Sequence, residues 1–380
     1  MLSNIFFTGM IMLTYGTLPF IEARGQTVEF IVRSQQSLSD TENVFIVGNQ
    51  PQLGNWNPGA VRLQRDIDGS WSGRFTFTPG TLLEYKLTLG AWSHEALDEN
   101  GRVPMNSRLI TRRDTTVSIR VPAWNHVPPI PSKVKGNVRY HRKFHSAKLG
   151  NDRGLVIWLP PDYEKETSRR YPVLYAHDGQ NLFDPSTAFA GVDWAVDETA
   201  DGLIRAGRMQ PIIIVGIWNT PDRLNEYTTI RGRDYATFLI EELKPFIDAN
   251  YRTLTDRANT AVMGSSLGGF ISLLLAWEHP EVFSMAACLS GSWMWGDAAA
   301  LRLIEDDTTA VPDLKLYLDH GSEGDEGRYA WLFRTIRDTL IGRGFVLGKN
   351  LQYNFGIGDG HNESAWARRV WRPLVFFFGK

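Results

Sequence analysis

The stretch Thr260-Ala261-Val262-Met263-Gly264-Ser265-Ser266-Leu267-Gly268-Gly269-Phe270 runs an apolar strand into Gly-x-Ser-x-Gly and out into an amphipathic helix. A serine in that setting sits on a tight strand-to-helix turn that lifts its hydroxyl above the sheet, the arrangement of a nucleophile elbow. Gly264 and Gly268 leave room for close backbone approach, and the helix aims its N-terminus at the serine. Its dipole and the Leu267 N–H would stabilise a developing oxyanion. The chemistry implied is attack of Ser266 on a carbonyl carbon.

A serine hydroxyl at its ordinary pKa is a poor nucleophile and needs a base, which follows it when the chain order is nucleophile, acid, histidine. Beyond Ser266 stand His279, His320 and His361. His279 lies past the far end of the elbow helix. His320 precedes the acidic loop, which would reverse the order. His361, in the flexible loop Gly356-Ile357-Gly358-Asp359-Gly360-His361, is the expected base. The loop Gly321-Ser322-Glu323-Gly324-Asp325-Glu326-Gly327 supplies three carboxylates for the acid, and spacing does not choose among Glu323, Asp325 and Glu326. A second oxyanion donor is expected after an earlier strand. There Tyr171 to Ala176 leads into His177-Asp178-Gly179-Gln180-Asn181, where Gly179 permits the turn and the Gln180 or Asn181 N–H faces the substrate oxygen. Asp178 either braces that loop or takes part in the chemistry.

These residues need a rigid frame. From Val134 onward, apolar strands at Leu155–Leu159, Val173–Ala176, Ile212–Ile217, Ala261–Met263, Met285–Leu289, Leu314–Asp319 and Leu351–Phe355 alternate with helical stretches. Helices are expected at Tyr235–Asn250, Gly268–Glu278 and Tyr329–Arg343. That pattern requires an α/β fold with a mostly parallel sheet covered on both faces. Between Thr27 and Val121 the signals are short alternating strands, such as Val44–Val47 and Trp71–Phe77, separated by Gly48-Asn49, Asp68-Gly69 and Pro79-Gly80. They predict an all-β sandwich of immunoglobulin-like type. The resulting division is a signal peptide at 1–25, the sandwich at 26–122, a proline-rich linker at 123–133 and the α/β unit at 134–380. The apolar run Ile5 to Phe20, with Ala23 and Gly25 before Gln26, reads as an export signal, with a retained membrane anchor as the alternative for which the run is short; export places the mature protein outside the cell or in the periplasm without stable membrane insertion.

Composition bounds the partners. The 380 residues carry 40 basic and 42 acidic side chains, so no broad positive field exists for nucleic acid. Cys288 is the only cysteine, which excludes an intramolecular disulfide and cysteine-ligated metal. There is no His-Glu-x-x-His, and Gly344 to Lys349 lacks the spacing and hydroxyl of a phosphate loop, so neither metal nor nucleotide cofactor is expected.

The segment Val173 to Glu198, with His177-Asp178-Gly179-Gln180-Asn181-Leu182-Phe183-Asp184 and Gly191-Val192-Asp193-Trp194, resembles the Putative esterase family, as do Gly264–Gly269 and His361–Trp366. That family includes esterase D, ferric enterobactin esterase-like proteins and carbohydrate esterase family 1 feruloyl and acetylxylan esterases. The resemblance implies an α/β-hydrolase fold, Ser266 as nucleophile, His361 as base and, by an ungapped match with Tyr329 aligned, Glu326 as acid. It also implies that Trp194 and Trp218 line the substrate site. In the N-terminal part, Leu53-Gly54-Asn55-Trp56 and Glu84-Tyr85-Lys86 resemble a starch-binding module. This implies a sugar platform of Trp56, Lys86 and Trp92, although Gly90 to Arg108 departs from the module's usual ending and Trp56 has an equal reading as core. The expected function is a secreted serine esterase acting through an acyl-enzyme on a carbohydrate-linked acyl or feruloyl ester, or on a siderophore ester. A carbohydrate-binding protein without activity, or an acyltransferase or peptidase on the same residues, is the alternative.

Overall fold

The computed structural model describes residues 25–39, 41–101, 103–125, 132–307 and 311–380. The export signal Ile5–Phe20 and the linker prolines Pro128, Pro129 and Pro131 lie outside the described residues.

The N-terminal part is all-β, with strands β1 (Gln26–Ser34), β2 (Phe45–Gly48), β3 (Val61–Arg62), β4 (Gln64–Arg65) and β5 (Trp71–Phe77). They are followed by β6 (Leu82–Thr88), β7 (Ala96–Leu97), β8 (Ser107–Ile110), β9 (Thr115–Val121) and β10 (Ala123–Trp124). One sheet runs β4-β5-β1-β9 and another β3-β2-β6-β8, while β7 and β10 pair with each other. Alternation explains how they pack: Val28, Phe30 and Val32 of β1 point inward from the first sheet, and Leu83, Tyr85 and Leu87 of β6 from the second. Together with Trp71, Phe77 and Trp124 they form one core.

The rest of the chain builds an eight-stranded sheet from β11 (Asn137–Ser146), β12 (Asn151–Leu159), β13 (Val173–His177), β14 (Ile213–Ile217), β15 (Thr260–Ser265), β16 (Met285–Leu289), β17 (Lys315–Gly321) and β18 (Leu351–Gly356). Its order is β11-β12-β14-β13-β15-β16-β17-β18. The β11 and β12 strands pair antiparallel, as do β12 and β14, and every later pairing is parallel. The expected apolar strands are all present, and β11 is additional. Its side chains are mostly exposed or half-buried, so an edge strand of this kind carries no apolar run to reveal it.

Helices cover both faces, as wholly buried parallel strands demand. Phe270, Leu273 and Leu275 of the helix Leu267–Glu278 share one core with Ile336 and Leu340 of Ala330–Gly342. On the opposite face Val196 and Ala200 of Val196–Arg205 pack with Leu374 and Phe378 of Trp371–Phe378. Among the described residues no helix is long and apolar enough to cross a membrane. Because β13, β15, β17 and β18 run parallel, the loops that follow them all emerge at one edge of the sheet. Those are the four loops that hold the chemistry-bearing residues.

Candidate active site

The β15 strand is buried throughout and ends at Ser265. The next residue, Ser266, has φ 56° and ψ −124°, a conformation that costs a non-glycine residue about 1–3 kcal/mol and persists only where the surroundings enforce it. Its N–H donates to the Leu289 carbonyl at 3.0 Å, and its own carbonyl accepts from Gly269 and Phe270 N–H at 3.1 Å and from Ser292 N–H at 3.0 Å. Glycine is required at 264, since a Cβ there would lie 2.6 Å from the Gly268 backbone carbon and oxygen. Leu267 opens the helix, so its N–H belongs to the first turn, which has no intrahelical acceptor.

His361 and Glu326 meet from two other loops. The His361 Nδ1 lies 3.0 Å from Glu326 Oε1. With a carboxylate as acceptor, Nδ1 carries the proton and Nε2 is left as the basic nitrogen. Glu326 is 2 % exposed, and its other oxygen accepts the Gly321 N–H. Burial pushes this carboxyl up, but the hydrogen bonds from His361 and Gly321 outweigh it and hold the group below the usual glutamate value. Of the other two carboxylates considered, Glu323 is bonded to the Ser322 hydroxyl and Asp325 faces solvent beside Arg328 at 3.2 Å. His320 is buried with both ring nitrogens occupied, by the Gly321 carbonyl and Tyr353 Oη. His279 pairs with Glu281.

The loop bearing His361, expected to be flexible, is laced to the acidic loop. Ser322 N–H donates to Gly356 O at 3.0 Å, Glu323 N–H to Asp359 O at 2.9 Å, and Gly358 N–H to the Ser322 hydroxyl at 2.8 Å. Beneath it, Arg369 bridges Asp359 at 2.9 Å and Asp319 at 3.0 Å, all three nearly buried. This network holds Glu326 against His361.

The third loop begins at Asp178, whose φ of 57° is left-handed and whose side chain is buried. Its carboxylate accepts two bonds from Arg223, at 2.6 and 2.7 Å, and one from Asn219 at 2.6 Å. Burial alone would raise this carboxyl; Arg223 and Asn219 reverse the shift. Gly179 must be glycine, because a Cβ would meet Gly216 backbone carbon at 2.4 Å. Gln180 then sits in a short 3₁₀ turn, Gly179–Asn181, at whose start N–H groups lack intrahelical acceptors. Its side-chain Oε1 accepts from Asn219 N–H at 3.2 Å.

One neighbour went unnoticed in the sequence. The Ser266 hydroxyl is bonded to the Ser292 hydroxyl at 3.1 Å, and a serine in the loop after the adjacent strand β16 was the available signal. Among the hydrogen bonds of the described residues none joins Ser266 to His361. Such bonds often tighten only when substrate is bound.

The tryptophans divide. Trp194 has no exposed surface; it packs on Trp366, which in turn sets its ring edge-on to His361 at 5.1 Å. This corrects the expectation that Trp194 lines the substrate site, since a ring enclosed in the core backs the histidine instead. Trp218 is half-buried against Gly154 at the end of β14. In the all-β part, Trp56 and Trp92 are half-buried with ring centroids 6.5 Å apart, and neither belongs to the core cluster there. Lys86 is occupied by Glu95 at 2.6 Å, so it does not present a free ammonium. Trp92 also touches Phe189 of the loop after β13 at 4.8 Å.

Comparison with known proteins bears on family and fold. The starch-binding domain profile matches residues 26–117. An endo-1,4-beta-xylanase/feruloyl esterase of Xylanibacter ruminicola is 31% identical over 157 residues, which is 39% of this chain and 21% of that protein. An uncharacterized protein, YbbA, of Bacillus subtilis is 25% identical over 269 residues, 65% of this chain and 98% of that one. Among solved structures, a ferulic acid esterase superposes with a TM-score of 0.53 at 20% identity, covering 64% of this chain and 98% of its own. An enterochelin esterase of Shigella flexneri gives 0.54 at 15% identity, covering 94% and 93%, so the fold is shared across the all-β part as well. The Putative esterase profile matches residues 146–369, which hold the Ser266 elbow and the His361–Glu326 pair, and on that match the chain belongs to the Putative esterase family as a carboxylic ester hydrolase.

Proposed function

We propose that the protein is a secreted serine esterase that cleaves acyl esters, feruloyl esters foremost, carried on a polysaccharide. The observation that carries this reading is Ser266, held at φ 56° at the mouth of a helix on the same sheet edge as a buried carboxylate–histidine pair. In the mechanism, Ser266 Oγ attacks the ester carbonyl carbon while His361 Nε2 takes its proton, and Glu326 holds the imidazole and stabilises its charge. The Leu267 and Gln180 N–H groups receive the oxyanion. Collapse of the tetrahedral intermediate breaks the bond to the alcohol, which leaves with the proton from His361. Water then repeats the sequence on the acyl-enzyme and releases the acid.

Polysaccharide linkage is supported by the starch-binding profile and by the half-exposed Trp56–Trp92 pair, since aromatic rings suit the apolar faces of sugars. The two four-stranded sheets around one core support an immunoglobulin-like sandwich for residues 26–122, with the α/β unit from 134. Hydrolysis of feruloylated arabinoxylan, acetylated xylan, a catecholate siderophore ester and a nitrophenyl ester tests the reading. The expected result is the highest kcat/KM on the feruloylated polymer. Cleavage confined to the siderophore ester, or ester binding without turnover, would refute it.

A further inference from the structure

On the face of the sheet opposite the elbow helix, the structure gathers Asp193, Asp197 and Glu198, each offering an oxygen within 4.8 Å of the others. The arrangement is costly as it stands. Asp197 has no exposed surface; one of its oxygens accepts the Lys135 N–H at 2.6 Å, and the other is buried without a partner. Glu198 Oε2 is buried and unpartnered in the same way. Asp193 spends one oxygen on the Ala195 N–H at 2.9 Å. Among the described residues no ion pair joins any of the three to a lysine, arginine or histidine; Lys135 and Arg205 both pair with Asp201. The charges that bear on Asp193 are those of Glu198 and Asp184, both acidic.

Carboxylates crowd the first turn of many helices, where the dipole favours them, but that relief is partial and fades within one turn. Buried acceptors without donors are rare enough to need a cause. A cation supplies one: it would satisfy both orphaned oxygens and compensate a charge that the protein leaves unbalanced.

We propose that Asp193, Asp197 and Glu198 form a calcium site. The donors are all hard oxygens, which selects against zinc and copper. Oxygens within 4.8 Å of one another fit inside a shell with metal–oxygen distances of about 2.4 Å, and three carboxylates in an irregular arrangement suit the flexible coordination of calcium better than the strict, water-rich octahedron of magnesium. Asp193 and Glu198 are half-buried, so waters can complete the shell from outside. The ion would be a structural tie. Lys135 enters the site from the start of the α/β unit, and the segment carrying the carboxylates hangs from the oxyanion loop through Trp194 N–H to Asn181 O at 2.9 Å and Val196 N–H to Leu182 O at 3.1 Å. Calcium would therefore fix the base of the loop that presents Gln180.

The test uses the full chain, stripped with a chelator and titrated calorimetrically with CaCl2 and with MgCl2, alongside thermal unfolding and terbium luminescence excited through Trp194. One saturable calcium site per chain is expected, with an unfolding midpoint that climbs with calcium concentration. Asp193→Asn and Glu198→Gln should each weaken uptake at least about tenfold, a loss seen even for outer-shell partners of metals. Both side chains reach solvent, and an unchanged circular dichroism spectrum shows that the variants fold. Absence of saturable uptake by the stripped protein would overturn the site and leave a pair of carboxyls sharing a proton. Uptake unaltered in both variants, or tighter binding of magnesium than of calcium, would overturn it too.

Discussion

Replacing Asp178 by asparagine separates positioning from chemistry at the oxyanion loop. Asparagine keeps the volume, tolerates the left-handed backbone at φ 57° and retains one acceptor, so what is lost is the charge facing Arg223 and most of three short hydrogen bonds. Breaking a buried ion pair costs about 3–5 kcal/mol. Arg223 is 28% exposed on its side chain, so water recovers part of the guanidinium's solvation and the net loss should be about 2–3 kcal/mol. For a unit of this size that lowers the unfolding midpoint by roughly 4–12 °C. The loop leads directly to Gln180, and removing one oxyanion donor outright costs about 10²–10³ in kcat. A donor displaced and not removed should cost roughly 10–10², with KM nearly constant. Stopped-flow hydrolysis of a nitrophenyl ester and calorimetric unfolding measure both. Adding Arg223→Met, which removes the orphaned charge, should return part of the stability, because the two residues act as a pair. Unchanged stability and kcat would refute the bracing role. A raised KM at constant kcat would make Asp178 or Arg223 a substrate contact.

For the acid, Glu326→Gln should slow kcat by roughly 10²–10⁴, while Glu323→Gln and Asp325→Asn stay within about twofold; a larger loss at either would reassign the role. Since Glu326 is held below the ordinary glutamate value of 4.5, its stabilising contribution is complete above that pH and disappears as pH falls through the lowered value. The carboxylate should therefore remain ionised from about pH 5 upward, so Glu326→Gln should still cost activity at about pH 8, and a variant as fast as wild type there would contradict the buried, ionised carboxylate. Trp56→Ala and Trp92→Ala should each weaken polymer pull-down about 3–10-fold and leave soluble-ester turnover within about twofold. Wild-type polymer binding in both would make the pair a structural contact to Phe189.

The chemistry was most legible where backbone geometry forces residue identity. An apolar strand ending in Gly264-Ser265-Ser266-Leu267-Gly268 has few uses, and the buried runs of β13 to β17 follow from a parallel sheet covered on both faces. Legibility failed where partners meet only in space. Spacing did not separate Glu323, Asp325 and Glu326, because the choice depends on how Ser322 and Asp359 lace two distant loops together. The resemblance implied a substrate wall at Trp194 because a motif match reports residue identity and not exposure. The pairing of Lys86 with Glu95 was not legible, because Glu95 sits on a segment that departs from the module's pattern. The carboxylate cluster escaped a search for metal ligands framed around cysteine and histidine.

The acyl-enzyme is the most direct measurement of the central claim. The protein is mixed with excess nitrophenyl ester, quenched in acid within the first turnover, and analysed by intact mass and peptide mapping. Release of nitrophenol should show a burst equal to the active-site concentration, with one acyl group on Ser266 and none in Ser266→Ala, whose turnover should fall by about 10⁶-fold. An acyl group mapped to another residue, or a Ser266→Ala variant that turns over at the wild-type rate, would contradict the assignment of Ser266 as the nucleophile.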